Sequence, residues 1–261
     1  MAGSTRWMEL ATHLKKGIDD GTYAVGEQLP NYKELAAQGW TSTGTVRDAY
    51  RSLVSQGYAV VKHGSGCFVR DRSVVSIPLS RYAQASGLDG LGPWETATRQ
   101  QGLAGEMVLV DVTTVEAPVS IAAKLSLSEA TGYQVTCRSR HAIIRNAASG
   151  DEVLQIQQAW YPAEVARRCG LDRAGKREGG VLPALAAAYH LGAAGTERVG
   201  FRLATEAEVS TLNLAPGWFV LRAERLITDE SGTPLELLQI AAVPDRVDFV
   251  YDGLNYQRLP S

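Results

Sequence analysis

The stretch Leu29–Val69 constrains this chain more than any other part of it. Leu29-Pro30-Asn31-Tyr32-Lys33-Glu34-Leu35-Ala36 predicts one short helix. Ser42-Thr43-Gly44-Thr45-Val46-Arg47 opens a second after a turn at Gly39, and His63-Gly64-Ser65-Gly66 tips a hairpin. Two short helices at that spacing, followed by a glycine-tipped β-ribbon, predict a winged helix-turn-helix. Such a unit lays its second helix in the major groove, so the pattern implies double-stranded operator DNA as a partner.

The flanking residues agree. Trp7, Leu10, Ala11, Leu14 and Ile18 fall at helical spacing and predict a supporting helix near residues 5–20, ended by Gly21. Asn31 with Glu34 makes a capping-box-like pair, and Ser42 is a good N-cap for a helix burying Val46, Ala49, Tyr50 and Leu53 up to Gly57. Thr43, Gly44, Thr45 and Arg47 stand where backbone N–H groups attract phosphate and side chains meet base edges. Taken alone, Arg47 is as well read as a solvated surface charge, and the glycine hairpin as an ordinary turn. The ensemble carries the argument. Lys62, His63 and the following glycines suit close approach to a narrow groove.

With 261 residues, 45% of them hydrophobic and 21% charged, the chain has room for two domains and an ordinary soluble balance. Nothing resembles a signal peptide, and no apolar run reaches the roughly 20 residues of a membrane helix. The expectation is a cytoplasmic protein with no membrane partner. Residues 1–72 hold 9 Lys/Arg against 7 Asp/Glu and the remainder 17 against 21, a weak bias toward a DNA-facing N-terminal part. Cys67, Cys137 and Cys169 are widely separated and read as buried hydrophobes in a reduced compartment. No metal-ligand spacing, cofactor motif or catalytic nucleophile is present.

The N-terminal motifs resemble the GntR family of bacterial regulators. That family shows a Pro-Ser-Glu-Arg-like helix start, a Ser-Arg-x-Thr-Val-Arg recognition helix and a Gly-x-Gly-x-Phe-Val wing. The counterparts are Pro30-Asn31-Tyr32-Lys33, Ser42-Thr43-Gly44-Thr45-Val46-Arg47 and Gly64-Ser65-Gly66-Cys67-Phe68-Val69. The resemblance implies DNA contacts from Lys33, Ser42, Thr43, Thr45, Arg47, His63 and Gly64. Lys33 and Thr43 occupy positions where the family often has arginine.

Residues 73–92, with Ser76, Pro78, Ser80, Ser86, Gly87, Gly90 and Gly92, read as a linker between a winged domain at 1–72 and a larger domain at 93–261. Strand-like runs follow at Met107–Val115, Tyr133–Ile144, Val153–Tyr161, Trp218–Ile227, Leu235–Val243 and Asp248–Tyr251. Helical patterns at Leu182–Tyr189 and Glu206–Leu212 make this an α+β sheet domain. An internal echo is visible: Leu125-Ser126-Leu127, Gly132 and Arg140, then Gly150 and Pro162, against Leu212-Asn213-Leu214, Gly217 and Arg225, then Gly232 and Pro244. Each copy reads helix end, strand, Ser-Gly turn, strand, which suggests a pseudo-symmetric sheet with a pocket between its halves.

Leu-x-Leu before each strand, Arg138-Ser139-Arg140, Trp160-Tyr161-Pro162, Asp229-Glu230-Ser231-Gly232-Thr233-Pro234-Leu235-Glu236 and Asp245-Arg246 resemble the UTRA domain of HutC-type members of the family. The resemblance implies a chorismate-lyase-like mixed sheet that binds a small-molecule effector and dimerises. Arg138 and Arg140, two apart on a strand, share a face and suit an anionic effector; salt bridges to Glu152 or Glu236 explain them equally well. Gln157 and Glu236 complete the candidate effector set, with Gln155 on the same face as Gln157. The leading expectation is a homodimeric, ligand-responsive transcriptional regulator of the repressor type. The alternatives are a regulator whose second domain only dimerises, and an enzyme on a chorismate-lyase-like fold.

Overall fold

The computed structural model describes residues 2–40, 42–62, 64–79, 90–146, 150–175, 180–192 and 195–252. The chain separates into two compact units between Ser73 and Val74.

In the first unit, α1 (Ala2–Asp19), α2 (Tyr32–Ala37) and α3 (Thr43–Ser55) are followed by the hairpin of β1 (Ala59–Lys62) and β2 (Gly66–Val69). Leu10 and Leu14 of α1, Leu35 of α2, and Val46, Ala49 and Leu53 of α3 meet in one core with Val69 of the wing. The capping box forms as the sequence suggests: Asn31 Oδ1 accepts from the N–H groups of Lys33 and Glu34, and Glu34 Oε2 accepts from the N–H of Asn31. Gly39 turns the chain between the two helices at φ 94°, a conformation costly for residues with a Cβ.

The second unit carries β3 (Val75–Pro78), α4 (Pro93–Gln100), β4 (Gly105–Glu116), α5 (Val119–Lys124), β5 (Gln134–Ile144) and β6 (Glu152–Pro162). After them come α6 (Ala163–Cys169), α7 (Leu182–Ala188), β7 (Thr196–Leu203), α8 (Glu206–Thr211), β8 (Phe219–Thr228), β9 (Pro234–Ala242) and β10 (Val247–Val250). Six strands form an antiparallel sheet in the order β4-β5-β6-β9-β8-β7. β3 lies within the segment expected as linker, where it runs parallel to β10 with Val75 and Ile77 fully buried. Its four residues alternate too briefly to announce a strand, and its partner lies far along the chain. Ser80, Ser86 and Gly87 lie outside the described residues.

The sheet reads alike from either edge: β4, α5, β5, β6 on one side and β7, α8, β8, β9 on the other. The Leu-x-Leu echo has a structural cause. Leu125 and Leu212 are the C-caps of α5 and α8, and the next residues, Ser126 and Asn213, are left-handed at φ 52° and 50°. The following N–H groups close Schellman-type bonds, Leu127 to Ala122 O at 2.9 Å and Leu214 to Val209 O at 3.0 Å. On one sheet face, α6 and α7 bury Val165, Ala166 and Leu185 in a core shared with Tyr161 and Ala159. The other face carries α5, where Ile121 and Leu125 pack on Val135 and Leu237.

Candidate nucleic-acid interface and effector pocket

Ser42 caps α3, its hydroxyl accepting from the N–H of Thr45 at 3.4 Å. That bond occupies one of the leading N–H groups of the helix and leaves those of Thr43 and Gly44 without intrahelical acceptors, the arrangement that attracts phosphate. Thr43 is exposed, and Thr45 and Gly44 are half-buried beside it. The Arg47 side chain is 68% exposed, with Asp48 only loosely opposed at 4.0 Å. Lys33 is exposed on α2. Tyr50, half-buried on α3, donates to the carbonyl of Pro30, so the entry to α2 is tied to the recognition helix.

At the wing tip, Gly64 is exposed at φ 74°. His63 lies outside the described residues. Sequence reading missed Gln28, whose Nε2 donates to the Ser65 carbonyl at 2.8 Å and tethers the tip. A Cβ on Gly66 would meet that same nitrogen at 2.5 Å, so a residue there lacking a side chain makes room for the tether. Lys62 lies 4.7 Å over the Phe68 ring.

In the second unit, Arg138 and Arg140 share one face of β5, with Ala159 and Gln157 of β6 directly opposite. Gln155 and Tyr161 extend the same face, and Glu236 of β9 completes it. Neither arginine pairs with the acids weighed from the sequence. Glu152 bonds Arg246 at 2.6 Å, and Glu236 accepts from the Tyr161 hydroxyl at 2.5 Å.

The two arginines are not equivalent. Arg138 is 2% exposed and donates to the carbonyls of Leu171, Arg173 and Gly175 at 2.7–2.8 Å, stapling the loop after α6 onto the sheet. Arg140 Nε is buried with no hydrogen-bond partner among the described residues. The same holds for Nε2 of Gln155, whose Oε1 accepts from Gln157 at 3.1 Å, and for Oδ1 of Asp172 in the stapled loop. Buried polar atoms in native proteins are nearly always satisfied, by protein or by ordered water, so these atoms, like Trp160 Nε1 on the opposite face, call for a further partner.

Tyr161 is fully buried among Glu236, Arg140 and Arg138; burial and then the Glu236 carboxylate hold its hydroxyl well above the usual tyrosine range. It was not singled out from the sequence as a site residue, although its place four residues from Gln157 on one strand is the signal that puts both on the same face. The cysteines behave as expected of buried hydrophobes: all are buried, and burial pushes the Cys67 thiol up to about 11. Among the described residues no group of His, Cys, Asp and Glu could hold a metal ion, and no helix is long and apolar enough to cross a membrane.

A winged helix-turn-helix joined to a mixed sheet domain with a buried polar site defines a DNA-binding regulator. The comparisons with known proteins give it a family. Residues 8–69 match the model of the bacterial regulatory proteins of the gntR family, and residues 100–248 match the UTRA domain. The chain belongs to the GntR family of transcriptional regulators, in the branch that carries a UTRA domain. It is 28% identical over 255 residues to an uncharacterized HTH-type transcriptional regulator of Streptomyces coelicolor, covering 95% of this chain and 92% of that one. A similar regulator of Rhizobium meliloti is 28% identical over 249 residues, covering 94% and 93%. A solved GntR-family transcriptional regulator superposes with a TM-score of 0.56 at 25% identity, covering 97% of this chain and 98% of that one. PhnF from Mycobacterium smegmatis shares the fold, with a TM-score of 0.56 at 18% identity over 95% of this chain and 99% of its own.

Proposed function

We propose that the chain is a homodimeric, cytoplasmic repressor whose UTRA domain binds a small polar effector, and that the bound effector releases operator DNA. DNA contacts come from Lys33, Ser42, Thr43, Gly44, Thr45, Arg47, His63 and Gly64, with Gln28 holding the wing tip in place. A second half-site supplies the affinity that one small module lacks, which is why the dimer is part of the reading.

The observation that carries the effector is three of the buried atoms that lack a partner among the described residues: Arg140 Nε, Gln155 Nε2 and Asp172 Oδ1. A ligand meeting all three must accept from the guanidinium and the amide and donate to the carboxylate. Its class is a small molecule with an acid group and a hydroxyl or ammonium group. Arg140, Gln155, Gln157 and Glu236 belong to the pocket in this reading. Arg138 positions the loop that brings Asp172 to it. Such a ligand acts only through different affinity for the DNA-competent and DNA-incompetent states.

The test begins with hydroxy acids and amino acids screened for a rise in melting temperature of the full chain. The best binder is then added to an operator complex in a gel shift. Release from wild type but not from Arg140→Ala, with ligand-free DNA affinity unchanged in the variant, is the expected result. Equal release from both proteins removes Arg140 from the pocket.

A further inference from the structure

The sheet face opposite Arg138 carries a second array. Asp111, Ser139, Gln158, Gln239, Glu224 and Arg198 stand in register, one from each strand, as a continuous polar row across the sheet. The neighbouring row holds Ile156, Ala241, Arg222 and Gly200. Both rows alternate with Arg138, Gln157 and Glu236 and point away from them.

Three carboxylates stand on this face: Asp111 accepts from the Thr113 hydroxyl, and the other two, Glu224 and Glu208, already have their cations. Lys124 of α5 bonds Glu224 Oε2 at 2.5 Å, and Gln239 Nε2 donates to the same oxygen at 2.9 Å. Arg202 of β7 grips both oxygens of Glu208 of α8 at 2.5 and 2.6 Å. Arg198 and Arg222, diagonal neighbours on β7 and β8, make no hydrogen bond or ion pair among the described residues, and Arg222 adds a smaller electrostatic pull on the Glu224 carboxylate that Lys124 already holds. Gly200 sits opposite Arg222 and between Arg198 and Arg202. A Cβ there would touch Arg222 Nε at 3.9 Å, so the glycine leaves the floor beside the guanidinium open.

The space above is an open cleft of about 100 Å³ lined by Gln158, Gln239, Arg222, Arg202 and Glu208. A second cleft of about 230 Å³ meets it at Glu224 and is lined by Lys124 and Arg198. Cations outnumber carboxylates here although the whole chain has a net charge of −2. Partly enclosed positive charge of this kind focuses the field on an anion. Guanidinium groups take oxyanions through paired N–H donors, and the glutamine amides add neutral donors at the floor.

We propose that this face holds a second ligand site, separate from the effector pocket, which binds a small oxyanion through Arg222 and Arg198. The ligand carries a carboxylate or phosphate group with at least two acceptor oxygens. The inference does not rest on the effector reading, because it uses the other face of the sheet and none of its residues.

Calorimetric titration of the full chain at low ionic strength with inorganic phosphate, and separately with malonate, tests it. Binding of either probe is expected to weaken at least tenfold in Arg198→Gln/Arg222→Gln and to stay within twofold of wild type in Arg140→Gln. The tighter probe identifies the acid group. Gly200→Val keeps every charge, fills the floor, and should weaken binding likewise; it decides the matter if the double variant does not fold. No heat from either probe with wild type, or unchanged binding in the folded variants, overturns the site.

Discussion

Tyr161 on β6 donates its hydroxyl proton to Glu236 on β9 across the central strand pair of the sheet, at 2.5 Å and out of contact with water. The bond joins the two halves of a pseudo-symmetric domain beside the proposed effector pocket. Tyr161→Phe would leave a buried carboxylate without this donor. The expected cost is about 1–3 kcal/mol, the penalty for orphaning a buried acceptor. Urea denaturation of the full chain measures it. A variant as stable as wild type would mean that another donor replaces the tyrosine.

The acid side of the stability profile should depend on the carboxylates of the opposite face. Hydrogen bonds from Arg202 hold the Glu208 carboxyl below its ordinary value of 4.5. Burial raises the Glu224 carboxyl, but bonds from Lys124 and Gln239 outweigh it, and the net direction is also down. A lowered folded-state value stabilises the protein above the ordinary carboxyl value, and that contribution is lost as pH falls through the folded-state one. Glu208→Gln should therefore melt below wild type at about pH 6 and converge on it at about pH 3. A gap that persists undiminished in acid would assign the loss to packing rather than charge.

Much of the fold was legible because local chemistry decides it. Asn31 and Glu34 cap their own helix, Ser42 caps the next, and the Leu-x-Leu echo marks a helix-ending bond pattern repeated in each half of the sheet. The elements that escaped are those whose warrant is distant. β3 is held by a parallel partner at the far end of the chain. β7, an edge strand, exposes Val199, Phe201 and Leu203, so its pattern does not read as a core-facing strand. α4, α5 and α6 are six to eight residues long, too short for a helical period to show. For the pocket, alternation placed Arg138 and Arg140 on one face but could not reveal that loop carbonyls occupy Arg138. That fact depends on where the loop after α6 folds back.

Thr43 stands exposed at the start of α3, among the proposed DNA contacts. Arginine can make a bidentate contact to guanine O6 and N7 worth about 1–3 kcal/mol of discrimination, and threonine is too short to do so. Thr43→Arg should shift the selected base toward guanine at one position per half-site. An unchanged selected motif would place Thr43 outside the groove.

Gln28 contributes through the wing. Gln28→Ala removes the tether to Ser65, and because the residue is exposed the stability of the chain should change by less than about 0.5 kcal/mol. Operator affinity should nevertheless fall, through loss of the ordered tip. Thermal melting and a gel shift on the same samples separate the two effects. Unchanged affinity would show that the tip does not need the tether on DNA.

If a pair of these winged units reads an operator, selection of bound duplexes from a random pool by the full chain will reveal it. The predicted result is an enriched pseudo-palindrome with half-sites about one helical turn, or a multiple of it, apart. Arg47→Ala should bind that duplex more weakly, with a salt dependence reduced by about one counterion per half-site if the arginine touches phosphate. No enriched sequence, or a single half-site without its repeat, would mean that the winged units do not read DNA as a pair.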